Sequence, residues 1–195
     1  KVKARKLDSV TVMFTDFQAF TMHSQNLSPE KLVKSVDFFF SAFDKIIEKH
    51  QLEKIKTIGD AYMCAGGLVS ADPQQPIQVI DAAFEIIEFV QRESESDNDE
   101  IAHFNVRVGI NTGPVVGGVV GTKKFAYDIW GDTVNVAARM ESNSKAGQIN
   151  ISENTYQLIK DRFECTYRGK IDVKNKGMLK MYFVEGPIQK ETIST

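Results

Sequence analysis

The chain has 195 residues, 42% hydrophobic and 26% charged, with a formal net charge of -2. That balance suits one globular domain with a real core, and its slight acidity argues against a general nucleic-acid binder, which is usually basic. No apolar run is long enough to span a bilayer and no secretory signal is visible, while Cys64 and Cys165 lie far apart without metal-ligand spacing and read as buried free thiols of a reducing compartment.

The basic start KVKARK, beginning at Lys1 rather than Met, reads as the end of a linker from an upstream module, assigned to residues 1–8. Val10–Phe14 (VTVMF) is β-rich and almost wholly apolar, the pattern of a buried central strand. Asp16 follows where that strand ends. An acid there is costly unless something binds it; a divalent cation is one answer and a helix N-cap is the other, equally compatible with this stretch alone. Gln18–Met22 reads as a turn and first helical turn whose free N–H groups can hold phosphate.

Ser28-Pro29-Glu30 opens a helix, with Leu27 and Leu32 stapled across the cap and an apolar stripe running from Val36 to Ile47. It is read as core. Leu52–Met63 (LEKIKTIGDAYM) predicts two strands joined by a tight Gly59-Asp60 turn. If the first strand lies beside this hairpin, Asp60 can meet Asp16 and offer the paired acids that Mg²⁺ ions require; a plain surface turn is the commoner fate of a Gly-Asp pair. Ile77 to Val90 marks a second amphipathic helix, and Glu93–Glu100 a solvated acidic loop.

Phe104–Ile110 predicts a strand carrying Arg107, and Gly113–Gly121 (GPVVGGVVG), lacking the endings of a P-loop, reads as a turn and strand. In Phe125–Met140 (FAYDIWGDTVNVAARM) an apolar run carries Asp128, Gly131 breaks it, and Asp132 is placed to cap a helix on which Asn135 and Arg139 share a face. A carboxylate, an amide and a guanidinium near one strand-to-helix turn can read a base, hold a sugar and neutralise a phosphate. Taken alone, an ordinary capped helix with a surface arginine explains the stretch better. Gly147–Ser152 is a short strand followed by a short helix to about Lys160. Phe163–Arg168 and Met181–Val184 read as closing strands around a basic loop, Val173–Gly177, whose Lys174 either reaches a phosphate or faces water. His23, His50 and His103 have no metal or triad spacing.

Alternating strands, helices and short hairpins favour an α+β sandwich, one sheet with helices on its outer face. At this point FTDF (Phe14–Phe17), KTIGDAYM (Lys56–Met63), RVGINTGPVVGG (Arg107–Gly118) and YDIWGDTVNVAARM (Tyr127–Met140) together resemble the class III nucleotidyl cyclase catalytic domain, in order and across nearly the whole chain. The resemblance implies an α+β fold with a ferredoxin-like βαββαβ core and added C-terminal strands and helices, placed at residues 9–186 with a tail at 187–195, and a head-to-tail homodimer with sites at the interface. It implies two divalent cations, Mg²⁺ or Mn²⁺, on Asp16, Asp60 and the backbone carbonyl of Phe17. Arg107 and Lys174 match phosphate-binding positions, Asn135 the ribose-orienting one, Arg139 the transition-state one, and Lys56 and Asp128 the base-selecting pair beside the Ile129 backbone. Relatives usually have Gly where Ala19 stands.

The base choice also follows from chemistry. Adenine offers an acceptor at N1 and a donor amine at N6, complementary to a Lys donor and an Asp acceptor, whereas guanine presents the opposite pattern. Leaving such groups unpaired discriminates by roughly 10⁴-fold. The expected reaction is therefore ATP to 3′,5′-cyclic AMP and pyrophosphate, by in-line attack of the ribose 3′-hydroxyl on the α-phosphorus. Guanylyl cyclases of the family usually carry Glu and Cys at the two base positions. Guanylyl cyclase activity and a catalytically weak dimerisation or nucleotide-sensing module are the rival readings. The expected setting is cytoplasmic, with any sensor or membrane contact in a region upstream of this chain.

Overall fold

The computed structural model describes residues 3–189. An eight-stranded sheet is built from β1 (Arg5–Phe17), β2 (Glu53–Ile58), β3 (Ala61–Gly66), β4 (Val106–Val120), β5 (Ala126–Trp130), β6 (Ile149–Ser152), β7 (Phe163–Val173) and β8 (Gly177–Pro187). Its order is β2-β3-β1-β4-β6-β8-β7, with β5 paired to the far half of β4. Five helices complete the fold: α1 (Phe20–Ser24), α2 (Pro29–Lys49), α3 (Gln75–Ser94), α4 (Asp132–Ser142) and α5 (Glu153–Ile159). From β1 to β4 the path is βαββαβ with order β2-β3-β1-β4, the ferredoxin-like core, which β6, β8 and β7 extend on the β4 side.

The two helices read from periodicity form for the expected reasons. The Ser28 hydroxyl accepts from the Lys31 N–H at 3.1 Å, Pro29 occupies the first turn of α2, and Phe39, Phe43 and Ile47 recur at helical spacing on its buried face. These side chains meet Met13 and Phe17 from β1 and Ile80, Ala83 and Ile87 from α3. Phe17 lies at the centre of an aromatic cluster, 4.7 Å from the Phe104 ring and 5.4 Å from Phe39 between centroids. Each such buried side chain stabilises the fold by roughly 1.5–3 kcal/mol relative to exposure.

Five expectations need correction. Helices cover both faces of the sheet: α2, α3 and α5 pack on one, while α4 packs on the other with Val10, Val12 and Phe14 beneath it. Gly113 is not a turn, because β4 continues unbroken to Val120 and its pairing with β5 orders the glycine-rich stretch as sheet. The closing strands are longer than read, since the β7–β8 hairpin pairs through Val173 and Gly177 and leaves only residues 174–176 in the turn. Cys64 is buried, as read, but Cys165 is only half-buried; both are free. The first strand also starts at Arg5, inside the segment assigned to a linker. Among the described residues, no helix is long and apolar enough to cross a membrane.

Candidate active site

Register alone brings the first three residues of the site together. Asp16 lies opposite Arg107 in the antiparallel β1–β4 pairing, and the β2–β3 turn places Asp60 beside the end of β1. The Arg107 guanidinium grips Asp16 with two bonds, Nε to Oδ1 at 3.0 Å and Nη2 to Oδ2 at 2.8 Å. This fork is the strong form of a carboxylate pair, and hydrogen bonding to Asp16 is the main reason Arg107 holds its proton more tightly than usual. Asp60 accepts the Phe17 N–H at 3.1 Å. Burial raises the Asp60 pKa, the Phe17 N–H opposes that rise, and the charge of Asp16 adds to it.

Sequence reading missed a third acid. Glu141, near the C-terminal end of α4, is only 7% exposed, and its Oε2 lies 3.4 Å from Arg107 Nη2 with no hydrogen-bond partner among the described residues. Burial and then the neighbouring Asp16 push its pKa up. The available signal was spacing: Ala137, Met140 and Glu141 fall on one helical face, so the acid takes a core position rather than a solvated one.

A second cluster forms on the same side of the sheet. A bulge between Lys54 and Lys56 turns Lys56 onto this face opposite Met63. Its Nζ donates to Asp128 Oδ2 at 2.7 Å, and the other oxygen of Asp128 accepts the Ile129 N–H at 2.8 Å. The donor and acceptor proposed to read a base are thus held side by side.

Asn135 is exposed and Arg139 half-buried on α4, and neither side chain forms a hydrogen bond or ion pair among the described residues. Asp132 does not cap this helix: Gly131 holds the N-cap position without a side-chain bond, and Asp132 instead pairs with Lys176. That ion pair ties the β7–β8 turn, and with it exposed Lys174, to the start of α4. The fit of the acids to cations can be judged on the donor set. Among the described residues no group of three or more His, Cys, Asp or Glu is arranged to hold a metal ion. Asp16 and Asp60 form a half-buried pair at the end of β1, inside the sheet rather than at its rim, which suits ions that keep other ligands from water and phosphate.

The comparisons agree on one family. The model described as adenylate and guanylate cyclase catalytic domain matches residues 2–186. An adenylate cyclase of Mycobacterium tuberculosis is 39% identical over 94% of this chain, and the chain spans 41% of that relative's length. Among solved structures, the catalytic core of a rhodopsin-guanylyl cyclase with converted specificity in complex with ATPalphaS has a TM-score of 0.87 at 36% identity, covering 94% of this chain and 98% of that one. The guanylate cyclase domain of RhGC from Catenaria anguillulae in complex with GTP has a TM-score of 0.88 at 35% identity, covering 94% of this chain and 100% of that one.

Proposed function

The chain belongs to the adenylate and guanylate cyclase catalytic domain family, and from that premise we propose that it is an adenylyl cyclase converting ATP to 3′,5′-cyclic AMP and pyrophosphate. The observation that carries the substrate choice is the Lys56–Asp128 pair, whose donor and acceptor lie adjacent on one face and match adenine N1 and N6. Guanylyl cyclases are also among the similar proteins, so this pair decides between the two bases. The same donor and acceptor would face guanine with like against like.

Asp16, Asp60 and the Phe17 carbonyl would hold the divalent cations, Mg²⁺ or Mn²⁺. When bound, these supply Lewis-acid activation of the ribose hydroxyl and neutralise the triphosphate. The rest is done by the chain's own groups. Arg107, now forked on Asp16, and Lys174, on its exposed turn, bind phosphate oxygens. Asn135 orients the ribose by hydrogen bonding. Arg139 stabilises charge growing on the α-phosphoryl group, and with no hydrogen-bond or ion-pair partner among the described residues its guanidinium is available for that task.

One chain carries both the acid cluster and the base-reading pair, so a homodimer would form two equivalent sites. Each takes Asp16, Asp60 and Arg107 from one subunit and Lys56, Asp128, Asn135, Arg139 and Lys174 from the other. Exposed Ile58, Val119, Val120, Phe125 and Trp130, gathered on β2 and around the β4–β5 hairpin, supply apolar surface for that pairing. Mixing inactive Asp16→Ala with inactive Asn135→Ala should restore cyclic AMP formation through one intact site per heterodimer. Heterodimers that form yet stay inactive would overturn the shared-site reading, and turnover of GTP but not ATP would overturn the adenine assignment.

A further inference from the structure

On β4 every second residue faces α4: Arg107, Gly109, Asn111 and Gly113 form a row along the strand. The two glycines let the helix lie backbone-close. A Cβ at Gly109 would collide with the main chain of Glu141, and one at Gly113 with the Thr133 side chain. Between them Asn111, 3% exposed, donates its Nδ2 to the Thr133 carbonyl at 3.0 Å. Its own Oδ1 accepts from Ser152 Oγ at 2.6 Å, Ser152 hydrogen-bonds Thr155, the Thr155 hydroxyl meets that of Thr112 at 2.9 Å, and Thr112 in turn meets Thr11 at 3.1 Å. The far end of α4 is held by a twin. Asn150, fully buried on β6, donates Nδ2 to the Met140 carbonyl at 2.9 Å while its Oδ1 accepts from Arg168 Nη1 at 3.0 Å.

Both amides are fixed on the oxygen side by a neighbour and spend the nitrogen side on a helix carbonyl. An apolar side chain would fill the same space without choosing a register, whereas a buried amide whose bonds can be met in only one place specifies position. Both carbonyls belong to the helix that carries Asn135 and Arg139. We propose that Asn111 and Asn150 are positioning residues that lock the height and rotation of α4, and so aim Asn135 and Arg139 at the reacting phosphate. The inference rests on the roles given to those two side chains above.

Asn111→Ala should lower kcat by ~10–100-fold, since a misplacement of about 1 Å costs up to ~10²-fold in rate, with KM for ATP changed less than about threefold. Asn111→His should recover most of the loss. Its Nδ1 lies as many bonds from the backbone as the asparagine amide nitrogen, Ser152 keeps Thr155 as an acceptor once Oδ1 is gone, and a cavity lined by Asn111, Thr133, Ser152 and Asn154 leaves room for the ring. Amide hydrogen exchange of Val134–Ala137 should speed up in Asn111→Ala while that of Val108 and Ile110 does not. Asn111→Ser and Asn150→Ala, read as rate per folded molecule, carry the same test should Asn111→Ala fold poorly. Unchanged kcat in the folded variants, or loss that His does not relieve, would overturn the proposal. If the unaltered chain makes no cyclic AMP, the functional reading fails separately, and unchanged exchange in α4 then overturns the anchoring on its own.

Discussion

The two faces of the central sheet solve different problems. Against α2 and α3, alternate residues of β1 and β4 are Met13, Phe17, Val106, Val108 and Ile110, and the space is filled by rings and aliphatic chains. Against α4 the same strands present Asp16, Arg107 and Asn111, with glycines where the helix comes close. The first face provides burial, and its contacts are interchangeable so long as volume is kept. The second buries an apolar cluster of its own, with Val10, Val12 and Phe14 under Ala137, and beside it specifies where polar atoms stand. Two layers built on the same strands thus both bury apolar surface, and only the α4 side adds a row of polar side chains whose positions are fixed.

The sharpest way to break that division is to truncate one large side chain on each side. Arg139→Ala should reduce kcat by ~10²–10³-fold and leave the melting temperature nearly unchanged, because the side chain has no hydrogen-bond or ion-pair partner among the described residues. Phe39→Ala should do the reverse, costing about 3–5 kcal/mol of stability while kcat per folded molecule stays within a few-fold. Steady-state kinetics and thermal unfolding of both variants check this, and a matching loss of rate in Phe39→Ala would erase the distinction. A smaller effect is expected at the base-reading pair. Lys56→Glu with Asp128→Cys should shift the ATP-to-GTP ratio of kcat/KM toward GTP by ~10²-fold or more, measured by product analysis with each nucleotide. An unchanged ratio would show that the base is read elsewhere.

The smallest effect concerns Ala19. It sits at φ 54°, ψ 34°, in the left-handed region, immediately before α1. A Cβ there costs about 1–2 kcal/mol, which glycine avoids. Ala19→Gly should therefore raise stability in denaturant unfolding by about 1 kcal/mol or less, after the entropy glycine adds to the unfolded chain. Nothing in the residue pattern hinted at this conformation beyond Ala standing where the resemblance leads one to expect Gly.

Much of the burial face was legible because periodicity records it: Ser28-Pro29 and the Phe39, Phe43, Ile47 stripe announce α2, and VTVMF announces β1. Asp16 and Asp60 were only half legible, because a helix N-cap and a surface turn explained each as well or better, and it is the Asp60 bond to the Phe17 N–H that brings them to one place. The α4 face was harder to read. Glu141 resembles any acid near a helix end until its spacing with Ala137 and Met140 is weighed, and Asn111 and Asn150 look like ordinary strand residues. Their partners are backbone carbonyls 22 and 10 residues away, which leave no mark in composition or period. Gly113 misled for a related reason: a glycine can mark a turn or a close approach, and only the packing of α4 distinguishes the two.

The outer position of β2 has a consequence of its own. It forms one rim of the sheet, so among the described residues no strand pairs with its outer backbone groups. Rims of this kind invite other chains to dock and aggregate, and charged side chains are the usual deterrent. Glu53, Lys54 and Lys56 supply them. Under the proposed function Lys56 therefore has two duties, one toward the base and one toward keeping the protein dispersed. A glutamate there would change the first and preserve the second, whereas an apolar replacement would lose both.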